Sequence, residues 1–249
     1  MADKITSLSN PKISGYSKLK APKFREESGL FLVEGEKALS DITENNIKIR
    51  DIFVSDIKNL SENFPENKVT VVNEAVMKKL SSSVSAPKII TVAEQKKYSV
   101  SEFREMNRLI LLENISDPGN LGTIIRSAAA FGFQGIILLG NCVDAYNPKV
   151  IRSAAGNFFK IPITNMQKIG DDFDGFNIYT TYLHSEKSTD VRDVVPKSKF
   201  ILSFGSEACG ISESLMKNSS ENVVIKTQNV ESLNLATSAS IIMYEFSKH

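Results

Sequence analysis

A polar segment that directly follows an apolar run is the first place where this sequence could bind a ligand. The run Leu109-Ile110-Leu111-Leu112 is typical of a strand buried on both faces of a parallel sheet. The chain then turns through Asp117-Pro118-Gly119 into a predicted amphipathic helix, with Asn120 as its N-cap and Arg126 on its polar face. Open α/β sheets bind ligands at the carboxyl ends of their strands, so we predict a ligand site here. A turn that simply begins a helix would show the same spacing.

A second apolar run, Phe200-Ile201-Leu202-Ser203, leads into a loop bracketed by Gly205 and Gly210. Glycine lets a ligand approach the backbone closely. Glu207 stands where a dinucleotide-binding pattern would carry its middle glycine, and an acid is unfavourable beside a pyrophosphate. The loop therefore suits a cationic or hydroxyl-bearing ligand, and it argues against an oxidoreductase that uses a nucleotide cofactor.

A third polar loop follows the predicted strand Val223-Val224-Ile225 and precedes a helix of small residues that runs to Phe246. Ser232 and Asn234 lie just before that helix. Both residue types are ordinary N-caps, and capping is the simplest role for either side chain.

The elements that must position these loops alternate between strands and helices. Further apolar runs at 136–139 and 178–181, with helical stretches between them, predict a parallel sheet covered by helices over residues 108–249. Residues 1–96 predict a smaller α/β domain, and the polar segment 97–107 is the best candidate for a linker. In the first domain we expect the following elements: strands at 29–35, 49–55, 69–72 and 88–92, and helices at 36–45 and 74–80.

Composition excludes several classes of protein. The chain has 249 residues, of which 41% are hydrophobic and 24% charged, as in an ordinary globular protein with a real core. Neither Cys142 nor Cys209 lies in a CxxC spacing, and His184 and His249 are too few for a metal cluster. No signal peptide or membrane-length apolar stretch is present in the sequence. We expect a soluble cytoplasmic protein with no disulfide, no metal and no membrane partner.

The positive charge is concentrated near the start of the chain. The formal net charge is only +1, but the segment from Lys4 to Arg25 contains six basic residues and no acidic one. Tyr16 and Phe24 lie in the same segment and could stack on bases. RNA binding and an ordinary solvated helix face both fit this pattern.

Taken together in this order, the three loops resemble the motifs of the SpoU/TrmH family of RNA 2′-O-methyltransferases, part of the SPOUT class. The matching residues are Asn114, Asp117-Pro118, Asn120, Gly122, Arg126, Gly205, Glu207, Gly210 and Ser232-Leu233-Asn234, with a further match over Asn147 to Phe159. The segments Ile5-Thr6-Ser7-Leu8-Ser9-Asn10-Pro11 and Phe31-Leu32-Val33-Glu34-Gly35 are similar to the ribosomal-protein-like substrate-binding domain of family members that act on ribosomal RNA. The resemblance thus covers nearly the whole chain.

The resemblance implies a parallel-sheet SPOUT-like α/β catalytic domain with a C-terminal trefoil knot, preceded by the small α/β domain. It implies S-adenosyl-L-methionine as cofactor, ribosomal RNA as partner, and a homodimer whose two subunits build the active sites together. Carried over by position, the sites fall into three groups: catalytic Asn120, Arg126, Glu207, Ser232 and Asn234; cofactor-binding Gly205, Val224 and Leu233; and RNA-binding Lys20, Lys23, Arg25 and Arg152.

Two features qualify this expectation. The family's third motif usually carries Ile-Pro-Met before a glycine, whereas this chain has Val224-Ile225-Lys226 with Gln228 in the glycine's place. The alternative is therefore a catalytically silent RNA-binding protein that kept the fold, and cofactor binding separates the two. The family's matching arginine is treated as a base, but a guanidinium group stays protonated at neutral pH. We expect Arg126 to hold a substrate phosphate and to stabilise the developing alkoxide.

Overall fold

The computed structural model describes residues 3–60, 64–170, 173–182 and 187–249, so His184 lies outside the described residues. The chain divides into two compact units. The first comprises residues 1–96 and 146–151, and the second comprises residues 97–145 and 152–249. Each unit contains its own β-sheet.

The first unit is a mixed sheet with helices around it. Its strands are β1 Asp3–Ile5, β2 Leu30–Glu34, β3 Ile49–Val54, β4 Val69–Val72 and β5 Ile89–Glu94. Its helices are α1 Pro11–Ser17, α2 Pro22–Ser28, α3 Glu36–Glu44 and α4 Glu74–Leu80. The sheet order is β1-β4-β3-β5-β2, in which β5 runs antiparallel to both of its neighbours. The predicted α/β domain is confirmed.

Local signals explain where these helices begin. Asn10 and Asn73 cap α1 and α4 by accepting hydrogen bonds from the amides of Lys12 and Val76, which satisfies donors that a helix leaves unpaired. The buried faces of α1 and α4 then close over the sheet, with Ile13 fully buried against its apolar side chains.

A short segment from the second half of the sequence packs with the first unit. Residues 146–151 belong to it, and the Tyr146 ring lies 4.8 Å from the Phe31 ring. The Tyr146 hydroxyl also accepts a hydrogen bond from the Lys96 amide at 2.8 Å. The helix α7 Pro148–Ser153 begins inside this segment. The sequence pattern predicts residues 146–151 as part of the catalytic domain.

The second unit is a parallel sheet of seven strands. They are β6 Arg108–Glu113, β7 Gly135–Leu139, β8 Ile163–Met166, β9 Asn177–Thr181, β10 Thr189–Asp190, β11 Phe200–Gly205 and β12 Glu221–Val224. The other helices of this unit are α5 Val100–Arg104, α6 Pro118–Ala130, α8 Glu213–Lys217 and α9 Leu235–Phe246. The order is β10-β12-β9-β11-β6-β7-β8, and every pair is parallel. The predicted parallel sheet is confirmed.

The order of the strands reverses direction at one point. β6 and β11 are neighbours, but the chain leaves β6 towards β7 on one side, and β12 lies beyond β9 on the other side. A parallel sheet opens a ligand-binding crevice where successive connections diverge in this way. Because the strands are parallel, the loops that follow β6, β11 and β12 all leave from the carboxyl end of the sheet.

The segment 97–107, expected as a linker, contributes to the core of the second unit. It contains α5, which begins with a capping box in which Ser99 and Glu102 exchange hydrogen bonds. Phe103 is fully buried in the cluster that includes Leu109 and Ile201. Within the described ranges, no helix is both long and apolar enough to cross a membrane.

Candidate active site

The first loop of the site is fixed by the start of α6. Asp117, not Asn120, is the N-cap: its carboxylate accepts a hydrogen bond from the Asn120 amide at 2.7 Å. The expected cap was wrong because Pro118 occupies the first helical position, where a missing N–H costs nothing. The Asn120 side chain is therefore free to make a tertiary contact.

The second loop is a tight turn that requires both of its glycines. Ser206 and Gly210 form a β-bridge, and the Gly210 amide donates to the Ser206 carbonyl at 2.8 Å. A Cβ atom on Gly205 would lie 2.0 Å from the Gly210 carbonyl oxygen, and Gly210 itself has a φ of 65°. The turn leaves Glu207 exposed at its tip.

The third loop joins β12 to α9 and is held at both ends. Asn234 caps α9, because its Oδ1 accepts from the amides of Ala236 and Thr237 at 2.9 and 3.3 Å. Near β12, Lys226 Nζ lies 4.0 Å from Asp190 Oδ2. The Arg192 guanidinium, which bonds Asp190 directly, holds the pKa of that carboxyl well below its usual range.

Three side chains from these loops are connected by hydrogen bonds. Asn234 Nδ2 donates to Asn120 Oδ1 at 3.1 Å, and Asn120 Nδ2 donates to Glu207 Oε1 at 2.7 Å. Glu207 and Asn234 lie 87 and 114 positions after Asn120 in the sequence. The structure thus brings together three of the five side chains expected to be catalytic, and we call them the amide relay.

A cavity of about 350 Å³ opens beside the amide relay, within the usual size range of a small-molecule site. It is lined by Gly205, Val224 and Leu233, the residues expected to bind the cofactor, and also by Glu207 and Ser232. Other residues in its wall were not singled out from the sequence: Tyr182, Ser206, Thr227, Ser238 and Ile242. Tyr182 follows β9 and Ser206 follows β11, so their position directly after a strand is the sequence signal that could have identified them. The others lie in the third loop and in α9.

The chemistry of this wall fits S-adenosylmethionine. Apolar side chains such as Leu233 and Ile242 suit an adenine ring, while Glu207 and Glu231 carry negative charge that suits a sulfonium cation. Of the described residues that line the cavity, none is a lysine or an arginine. Two of the residues that depart from the family's third motif, Lys226 and Gln228, are exposed and do not belong to the described lining, whereas Val224 and Ile225 do line the cavity.

The expected catalytic arginine lies outside the amide relay. Arg126 is exposed on α6 and forms no hydrogen bond or ion pair with any other described residue. Glu113, a possible surface partner, is instead buried and accepts a hydrogen bond from the Ser212 amide at 2.8 Å. The guanidinium of Arg126 is therefore available to an external anion. Arg152 is also exposed, at the end of α7.

The residues expected to bind RNA in the first unit have different environments. Lys20 and Lys23 are exposed, and Lys23 lies 3.9 Å from Glu27. Arg25 is only 1% exposed, and its Nη1 donates to the carbonyls of Leu19 and Lys20 at 2.7 and 2.8 Å. The expectation that Arg25 binds RNA is wrong, because its donors are used to hold the preceding turn in place.

Comparison with known proteins agrees with this geometry. The model of the SpoU rRNA methylase family matches residues 107–244, and that of the MRM3-like substrate binding domain matches residues 10–91. A 23S rRNA (guanosine(2553)-2′-O)-methyltransferase of Bacillus subtilis is 27% identical over 246 residues, which cover 96% of this chain and 97% of that protein. A 23S rRNA (uridine(2479)-2′-O)-methyltransferase of Streptomyces viridochromogenes is 28% identical, over 89% and 83% of the two chains.

A solved structure extends the similarity to the whole fold. The AdoMet-bound rRNA methyltransferase from Sinorhizobium meliloti superposes with a TM-score of 0.88 at 27% identity, covering 100% of this chain and 98% of that one. The fold and the site define an S-adenosylmethionine-dependent RNA 2′-O-methyltransferase. The chain belongs to the SpoU rRNA methylase family, and the resemblance inferred from its sequence is confirmed.

Proposed function

We propose that this protein methylates a ribose 2′-hydroxyl of large-subunit ribosomal RNA and acts in the cytoplasm. The observation that carries the proposal is the amide relay, which joins three family motifs beside one cavity. The methyltransferases of similar sequence from Bacillus and Streptomyces are named for 23S rRNA. When bound, S-adenosylmethionine supplies an already reactive methyl group, so the protein has to align the acceptor oxygen and assist the loss of its proton.

The cavity residues hold the cofactor in this proposal. Gly205, Val224 and Leu233 contact it largely through their backbone, while Ser232, which also lines the cavity, contacts the ribose. Alignment of two reactants in this way can supply about 7–11 kcal/mol of the barrier.

The C-terminal part of the chain is threaded as a trefoil knot, as in the family. The silent RNA-binding alternative loses its support, because relatives that match most of the chain are named as 2′-O-methyltransferases.

Arg126 binds a phosphate of the substrate. Its guanidinium has five donors in a fixed fork that matches phosphate oxygens, and its position on α6 leaves them unpaired among the described residues. The same positive charge stabilises the alkoxide that develops as the ribose proton leaves. In the first unit, Lys20 and Lys23 contact the RNA backbone, and Arg152 adds to these contacts.

Two copies of the chain form the active enzyme. The exposed face of α9 carries Ile241, which is 36% exposed, and Tyr244, which is 51% exposed and whose ring lies 5.7 Å from the Phe131 ring. The neighbouring helix α6 packs closely against α9, with Ser127 and Ser240 joined by a hydrogen bond of 2.7 Å. This apolar face fits a second copy, and light scattering at micromolar concentration should give the mass of two chains rather than one.

The proposal is tested in cells. The 2′-O-methyl positions of ribosomal RNA are mapped with and without the gene, and the gene is then restored as wild type or as Arg126→Ala. We expect one position to lose its methyl group without the gene and to regain it only with the wild type. An unchanged map would reject ribosomal RNA as the target.

A further inference from the structure

The orientation of the amide relay is fixed by the helix that it caps. The amides of Ala236 and Thr237 can only donate hydrogen bonds, so the Asn234 atom that meets them must be the oxygen. The other end of that side chain is then an NH₂ group. It faces Asn120 at 3.1 Å and must donate to it.

The orientation of Asn234 in turn fixes that of the Asn120 side chain. Because Asn120 accepts with Oδ1, its own NH₂ group faces Glu207, and the distance from Nδ2 to Oε1 is 2.7 Å. Glu207 must therefore accept at Oε1, which leaves Oε2 for a second partner.

Glu207 differs in this respect from the other titratable groups around it. Tyr182, Cys209 and Glu231 also belong to the described wall of the cavity, but none of them is bonded to the amide relay. An ionised carboxylate has acceptor sites only, so an oriented and exposed Oε2 is suited to take a proton. Arg126 cannot do so while it is protonated.

We propose that Glu207 is the proton acceptor of the reaction, with Asn120 and Asn234 as its positioning residues; this rests on the proposed function. The O2′–H bond breaks and its proton goes to Oε2 of Glu207. The electron pair left on O2′ forms the bond to the methyl carbon. The bond from that carbon to the sulfonium sulfur breaks, and its electron pair stays on the sulfur. Glu207 is exposed and returns the proton to water.

The first test is Glu207→Gln. Glutamine keeps an oxygen to accept from Asn120 but places a donor where Oε2 was, so the amide relay survives and the proton acceptor is lost. We expect the dissociation constant for RNA to stay unchanged, while the single-turnover rate at saturating S-adenosylmethionine falls by about 10²-fold or more. The matched control is Glu213→Gln, an exposed glutamate on α8 outside the cavity wall, which should keep the wild-type rate.

The second test reverses the direction of the amide relay. In Asn234→Asp the carboxylate still caps α9, but it can no longer donate to Asn120. Asn120 must turn its NH₂ group towards residue 234 and present its oxygen to Glu207, which favours the protonated form of Glu207. The pH at which the rate reaches half its maximum should therefore move upward. The side-chain ¹⁵N signals of Asn120 and Asn234, recorded without cofactor, should titrate with Glu207 in the wild type and not in Glu207→Gln.

The outcomes are distinguishable. Near-wild-type turnover by Glu207→Gln, or an unshifted pH profile for Asn234→Asp, would overturn the role of Glu207 while leaving the methyltransferase function in place. A wild-type protein that forms no 2′-O-methylated product would instead reject the proposed function itself.

Discussion

The two units of the chain use their polar side chains in opposite ways. In the first unit, Arg25 donates to backbone carbonyls, and the Asp51 carboxylate binds both Lys12 and Tyr16. In the second unit, Arg126 on α6 and Glu207 in the cavity wall are both exposed. A charged group whose partners lie within its own fold contributes to stability, whereas an exposed charged group is available to a ligand. Substitutions in the two units should therefore have different consequences.

The largest effect is expected from Arg126→Ala. Loss of a preorganised group that stabilises transition-state charge should lower the rate of methyl transfer by about 10²–10³-fold. The melting temperature and cofactor affinity should stay at wild-type values, because Arg126 has no partner among the described residues. Arg126→Lys keeps the charge without the forked geometry. Near-wild-type turnover in both variants would show that the active site has been misplaced.

Arg25→Ala should act on stability and not on chemistry. Removing the guanidinium leaves the buried carbonyls of Leu19 and Lys20 without their donor, at a cost on the order of 3 kcal/mol in unfolding free energy. Lys23→Ala, on the exposed side of the same helix α2, is the matched control and should change stability little. Denaturant titration measures both variants. Equal stabilities would contradict the structural role of Arg25.

These contrasts show what the sequence could and could not predict. Hydrophobic patterning predicted the bounds of β4 and α4 and the apolar strands β6, β7 and β11. The strands are buried along most of their length, and α4 buries one face of the helix. The burial of Arg25 could not be predicted, because a run of basic residues does not reveal which of them turns inward. The helix α5 was missed in a polar segment, although Ser99 and Glu102 have the spacing of a capping box.

The site was predictable for a different reason. The side chains of the amide relay follow parallel strands. The topology therefore places them at the carboxyl end of the sheet, even though 114 positions separate Asn120 from Asn234. Their hydrogen-bond directions could not be predicted, because they depend on which residue caps each helix. The packing of residues 146–151 with the first unit also leaves no local trace in the sequence.

A smaller effect is expected from Lys20→Ala combined with Lys23→Ala. Each lost phosphate contact should reduce the slope of log affinity against log salt concentration by about 0.7–0.9. Affinity for ribosomal RNA fragments should fall, while cofactor affinity measured by calorimetry stays constant. Arg25 is left unchanged so that the fold of the first unit is preserved. An unaltered salt dependence would remove these lysines from the RNA-binding surface.

The smallest effect concerns Glu34. Burial raises its pKa, but hydrogen bonds from Ser83, Ser82 and Ser81 outweigh burial, and the net pKa lies below the ordinary glutamate value. Because the folded pKa is depressed, the stabilisation is present above the pKa of the unfolded state and is lost as pH falls through the folded value. Glu34→Gln should cost about 1 kcal/mol or less at neutral pH, given screening of a half-buried group. Its unfolding free energy should also fall less steeply in acid, and an identical acid dependence would contradict this account.

The central claim is that this chain methylates the ribose 2′-oxygen of RNA. Purified protein is incubated with ribosomal RNA and S-adenosylmethionine carrying a labelled methyl group, and the RNA is digested to nucleosides. The account predicts label in a single 2′-O-methylated nucleoside, incorporated at a rate about 10²–10³-fold lower when Arg126→Ala replaces the wild type. Label on a base, or no transfer to any nucleoside by the wild type, would contradict it.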